Sequence, residues 1–222
     1  MNTWKFMMWS GILAAISPGY AHAAQAADDS GWYGGIGVGR SDARRTTSWA
    51  TQTDATFAAN GVTSSTLISS HDTAWKLLAG YRFNENFAAE GGYTRIGRFS
   101  GTSVISAPAA ATALGTWDAK AINAAIVGIA PIAKQFSAFG KLGIAYSQLT
   151  VSVAAPGAGG ATVLVNPKNS RTQALVGAGL TYDITKQFSV RTEWERFGNV
   201  GDGSTTGQTA IDVFSLSGQF RF

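Results

Sequence analysis

The sequence predicts an all-β fold, an eight-stranded antiparallel up-and-down transmembrane β-barrel. Three observations predict it. Two-residue alternation of apolar and polar side chains recurs in eight separate stretches. Short and long connections between those stretches alternate strictly, as they do in an up-and-down sheet. Charged residues make up only 14% of the chain, against roughly 25% in an ordinary soluble domain. That deficit implies that much of the surface does not face water.

In chain order, the first element is a leader. Lys5 precedes an apolar stretch from Phe6 to Ile16, followed by Pro18 and the small-residue sequence Ala21-His22-Ala23. This is the order of a secretory signal peptide, and the apolar stretch is shorter than the ~20 residues of a spanning helix. Cleavage is expected after Ala23, with Ala27 as the alternative end, so residues 1–23 form the signal peptide and 24–222 the barrel domain. An exported chain with no cysteine has no disulfides, thiol catalysis or Cys-based metal sites. The formal charge of +4 falls to +3 without Lys5, and basic residues never run longer than Arg44-Arg45. No nucleic-acid footprint is present.

Strands are predicted at Trp32–Arg40, Thr73–Phe83, Phe87–Gly97, Thr116–Ile132, Phe136–Val153, Thr172–Ile184, Phe188–Phe197 and Ile211–Phe222. Three connections are tight, Asn84–Asn86, Ala133–Gln135 and Thr185–Gln187, and each is followed at once by Phe. Four are long and rich in Gly, Ser, Thr and Ala: Ser41–Asp72, Arg98–Gly115, Ala154–Arg171 and Gly198–Ala210. No mature segment shows a sustained helical period with caps, so these four are expected to be loops.

Most of the strands have the length that a tilted strand needs to cross a bilayer, roughly 9–11 residues. On the second, Trp75, Leu77, Ala79, Tyr81 and Phe83 share one face, opposite Lys76, Leu78, Gly80 and Arg82. Alternation alone does not say which face points inward, and a soluble lipocalin-like barrel binding an apolar ligand is the competing reading. Glycine favours the membrane sense. Gly35, Gly37, Gly80, Gly92, Gly143, Gly177 and Gly179 lie on or beside the polar faces, where a soluble core would have little to pack. Closure would also satisfy every backbone polar group, as lipid requires. Aromatics gather toward strand ends, as membrane-interface girdles do: Trp32, Tyr33, Trp75, Tyr81, Tyr93, Trp194 and Phe220 among them.

The segments Gly31–Ser41, Ala79–Phe99, Phe139–Ser147, Phe188–Asp202 and Val213–Phe222 resemble the transmembrane domain of the OmpA family. Their most specific parts are the Gly-Tyr, tight turn, Glu-Gly-Tyr hairpin and the seventh strand running into Gly-Asn-Val-Gly-Asp. The resemblance implies a multi-pass protein of the Gram-negative outer membrane, with tight turns toward the periplasm and long connections outside. It implies outer-membrane lipid and the barrel-assembly machinery as partners, with the terminal Phe222 as the assembly signal. Because the chain stops at Phe222, the expected likeness is to stand-alone surface antigens and small porins, not to members with a peptidoglycan-binding domain.

Chemistry is sparse. His71, beside Asp72, Ser69 and Ser70, is the single histidine outside the leader, and it reads as a solvated loop residue rather than a catalytic one. No nucleophile elbow, phosphate loop or metal-ligand spacing is present, so no enzyme, cofactor or metal is expected. The informative residues are charges on the polar face: Lys76, Glu90, Lys141, Arg191, Glu193 and Glu195, with Arg82 and Arg221. Counted from the tight turns, Glu90 matches Arg191 in depth and Lys141 matches Glu193. A salt-bridge network across the lumen is expected, because an unpaired charge there costs roughly 3–5 kcal/mol. Held closed, it is a structural plug; exchanging partners, it gates a weak small-solute pore. The long connections, with Trp49, Phe57, Leu67 and Ile68 in the first, are the expected binding segments for a host-surface or phage ligand.

Overall fold

The computed structural model describes residues 30–156 and 162–222; the expected leader lies outside them. The elements in chain order are β1 (Gly31–Ala43), α1 (Thr46–Ala59), β2 (Thr63–Ile68), β3 (His71–Arg82), β4 (Phe87–Ala107), β5 (Ala111–Ala133), β6 (Phe136–Pro156), β7 (Thr162–Val165), β8 (Lys168–Asp183), β9 (Phe188–Asp202) and β10 (Gly207–Arg221). The order β4-β3-β1-β10-β9-β8-β6-β5, with β5 pairing back onto β4, closes a ring of eight. Every neighbouring pair in it is antiparallel. The ring therefore leaves no sheet edge unpaired. The ring closes where β1 pairs with β10, Tyr33 opposite Arg221 and Val38 opposite Leu216, and the Phe222 amide donates to the Trp32 carbonyl at 3.0 Å.

The two remaining strands extend staves of that ring. β2 pairs with Gly101–Ala107 of β4, in line with β3, which pairs with Ala88–Arg95. In the same way β7 pairs with Val153–Pro156 of β6, above β8. Three of the four long connections are thus largely strand: β4 and β5 remain paired as far as Ile105 and Ala111. The expected loops at Arg98–Gly115, Ala154–Arg171 and Gly198–Ala210 are corrected accordingly, save residues 157–161 of the second, which lie outside the described residues.

An inversion of polarity explains the difference. Between the tight turns and the middle of the staves, apolar side chains point out: Ile36, Val38, Leu77, Ile122, Ile126, Leu142, Ile144, Leu180 and Leu216 are exposed. Beyond that belt the same alternation continues with its sense reversed. Phe99, Ile105, Trp117, Leu149, Val151 and Val153 are buried inside, whereas Arg98, Ser100, Thr116, Asp118, Thr150 and Ser152 occupy the outer parity. The outer half of the barrel is built like a soluble one, apolar within and polar without.

The first long connection also departs from expectation, because residues 46–59 form a helix. Trp49, Ala50, Thr53 and Phe57 are buried along one side, a spacing that fits 3.6 residues per turn. The rest of the segment is rich in Thr and Ala, and Arg45 at the N-cap supplies no side-chain hydrogen bond. Tertiary contacts hold the helix instead. Asp54 accepts from the Ser64 and Thr66 hydroxyls at 2.7 Å each, and Ser48 Oγ accepts from the Gln208 amide at 3.0 Å. Trp49 packs on Phe99 with ring centroids 5.4 Å apart. The helix lies over the outer mouth, and the apolar core beneath it also contains Trp117, Phe197 and Ile211.

Candidate functional site: the lumen

Six charged inward side chains of the inner half come from β3, β4, β6 and β9, and the register brings them together. Lys76 Nζ bonds Glu193 Oε2 and lies 2.5 Å from Glu195 Oε2. Lys141 Nζ touches three carboxylates: Glu90 at 2.9 Å, Glu193 at 2.9 Å and Glu195 at 3.0 Å. Arg191 bonds Glu90 Oε1 through one terminal nitrogen and Glu193 Oε1, at 2.7 Å, through the other. All six residues are buried. Three cations face three carboxylates, so the cluster is neutral as a whole, and each carboxylate is shared by at least two cations.

Two further residues complete this layer. The Tyr33 hydroxyl donates to Glu90 Oε1 at 2.7 Å, and the Arg191 guanidinium carbon stands 3.7 Å over the centroid of the Phe139 ring. Tyr33 is therefore a lumen residue and not part of an aromatic girdle; its parity, matching Gly35 and Gly37 rather than Trp32, carried that signal. Glycines make the close approach possible. A Cβ on Gly80 would lie 2.5 Å from the Tyr33 ring, and one on Gly179 2.6 Å from that of Phe139.

Along the axis the lumen is layered. At the tight-turn end a recess of about 50 Å³ is lined by Tyr33, Glu90, Ser137, Phe139, Asp183 and Arg191. The ionic layer floors it. Thr94 and Ser217 stand beside that layer, opposite Lys76 and Arg191 in register; beyond lie Ser147 and Gln173, all four buried, and then the apolar core capped by α1. Arg82 and Arg221 also line the recess.

The outward aromatics fall at two levels. Trp32, Tyr81 and Phe220 stand near the tight-turn end, with Trp32 and Tyr81 centroids 5.2 Å apart and Phe220 stacked edge-on to Phe222 at 5.3 Å. Trp75 and Tyr93, 5.3 Å apart, and Trp194 stand at the other level. His71 Nδ1 stands 3.5 Å from Ser70 Oγ at the exposed surface, and the Asp72 carboxylate accepts the Arg98 backbone amide at 2.6 Å. Among the described residues no cluster of potential metal ligands occurs.

Comparison with known proteins follows the same lines. The family model for the OmpA-like transmembrane domain matches residues 26–222. The crystal structure of Neisserial surface protein A superposes with a TM-score of 0.55 at 14% identity, covering 87% of this chain and 98% of that one. The outer membrane protein OprG from Pseudomonas aeruginosa gives 0.51 at 12% identity, over 87% of this chain and 96% of that one. No curated protein matches the chain by sequence.

Proposed function

Because the chain belongs to the family of OmpA-like transmembrane domains, we propose that it is a bacterial outer-membrane protein whose closed barrel anchors a folded outer extension, and not an open pore. The filled lumen carries this reading. An ionic layer with no free carboxylate or cation lies beneath an apolar core containing Trp49, Phe57, Phe99, Trp117 and Phe197, and the recess below has room for only a few waters. Eight strands leave an interior that side chains fill. Planar-bilayer recordings of the purified protein are expected to show no conductance steps. Regular openings that shift in size in Glu90→Gln would make the cluster a gate and overturn the plug.

The lipid-facing roles follow from the same orientation. Phe136 and Tyr146 share one face of β6 and stand roughly 25 Å apart in height at the usual strand tilt, the height of an outer-membrane apolar band. Six of the outward aromatics, Trp32, Trp75, Tyr81, Tyr93, Trp194 and Phe220, then sit at the two interfaces. Phe222, the exposed end of the closing strand, serves as the signal for barrel assembly. Its deletion is expected to cut the fraction of heat-modifiable, membrane-inserted protein severalfold while leaving secretion intact. Unchanged insertion would exclude that role.

The extension is the surface available to a partner. Leu67, Thr102, Leu114, Ala154 and Leu164 form a continuous outward row across β2, β4, β5, β6 and β7, with Leu67 77% and Leu114 71% exposed. Apolar side chains kept in water on an otherwise polar face support a role in binding a host-surface or phage ligand.

A further inference from the structure

Two rows of outward side chains cross β4, β5, β6 and β8 directly beyond the outer aromatic level. The last row of the apolar belt there is Tyr93, Ile122, Tyr146 and Thr172, which are register partners in that order. Two residues further out comes Arg95, Lys120, Gln148 and Ser170, and then Arg98, Asp118, Thr150 and Lys168. Four cations thus surround a single carboxylate. Arg95 reaches Asp118 at 3.1 Å and Arg98 reaches it at 3.2 Å, each through one nitrogen. Lys120 and Lys168 are exposed and form no ion pair among the described residues.

Arg95 and Lys120 stand directly opposite each other on paired strands. Like charges in that position destabilise a sheet, and Asp118 offsets only part of the repulsion. The remaining side chains of the patch, Gln148, Thr150 and Ser170, are hydrogen-bonding and uncharged. We infer that this face binds the phosphate groups of lipids in the outer leaflet. Guanidinium and ammonium groups donate to phosphate oxygens, and the row of Tyr93, Ile122 and Tyr146 places the acyl chains of those same lipids immediately below. The proposal rests on the membrane orientation given above.

The test uses the full-length protein folded in detergent and in vesicles. Phosphatidic acid and phosphatidylcholine are compared as ligands by native mass spectrometry. The wild type is expected to retain phosphatidic acid preferentially. The triple variant Arg98→Gln, Lys120→Gln, Lys168→Gln is expected to lose about fivefold in affinity per cation removed, on the order of 100-fold in all, whereas Lys134→Gln with Lys186→Gln at the tight-turn end leaves it unchanged. Equal retention of both lipids, or an unaffected triple variant, overturns the phosphate site. Failure of the wild type to insert into vesicles would instead overturn the membrane reading, so the two failures are distinguishable. Displacement of phosphatidic acid by millimolar inorganic phosphate alone would assign the patch to free anions and reject the lipid.

Discussion

Replacing Lys141 by Met is expected to lower the unfolding free energy of the inserted barrel by about 3–5 kcal/mol. The Lys141 ammonium is the one cation that touches Glu90, Glu193 and Glu195 together. Without it, two cations face three carboxylates in a space closed by protein, and the methionine stem fills the volume but supplies no donor. Adding Glu195→Gln should recover a substantial part of the loss, because it restores neutrality while Lys76 and Arg191 still serve Glu193 and Glu90. Urea titration of the refolded protein in lipid vesicles, followed by tryptophan fluorescence and heat-modifiable migration, measures both. An outer-rim pair is the contrast. Arg196 bonds Asp212 at 2.7 Å but is substantially exposed, so Arg196→Gln should change stability by no more than about 1 kcal/mol. Equal midpoints for wild type and Lys141→Met would mean that the cluster contributes nothing to holding the barrel closed.

The residues of that cluster were legible from parity alone. Lys76 alternates with Trp75 and Leu77, and Glu193 and Glu195 alternate with Thr192 and Trp194, so once the apolar face is assigned to lipid the charges must meet inside. The tight turns supplied the register, since each is followed by an outward Phe that fixes which parity begins the next strand. Tyr33 and Phe139 were less visible. Their partners lie on other strands, and only the glycines opposite them, Gly80 and Gly179, hint at buried rings.

The outer half was misread for a physical reason. Along β4 the outward positions run Phe87 and Tyr93 and then Arg95 and Arg98, while the inward ones run Glu90 and Thr94 and then Ile96 and Phe99, and the expected strand stops at Gly97 between them. The strand continues, but what each face touches changes where lipid ends. A search for one constant amphipathic sense sees the pattern fail at that point and predicts a loop. The helix was hidden for a related reason. Only Trp49 and Phe57 are large on its buried side, and threonine-rich sequence favours helix poorly, so its formation depends on the core that the reversed strands create.

Replacing Trp117 by Ala is expected to cost about 3–5 kcal/mol, and the loss should be confined to the outer half. The Trp117 ring is fully buried and lies against two glycines; a Cβ on Gly101 or on Gly115 would approach it to 2.5 Å and 3.1 Å respectively. Backbone this close on both sides cannot collapse into the space that the indole leaves, so the cavity term adds to the lost burial. The inner half does not depend on that ring, because lipid contact, strand closure and the ionic layer hold it. Local opening should therefore precede global unfolding. Limited proteolysis of the vesicle-inserted variant is expected to cut within residues 46–68 far faster than in the wild type, while heat-modifiable migration of the barrel remains. A variant that opens globally, losing its inserted barrel together with its outer helix, would show that the two halves form one cooperative unit. Unchanged protease resistance would show that the indole is not what holds α1 over the mouth.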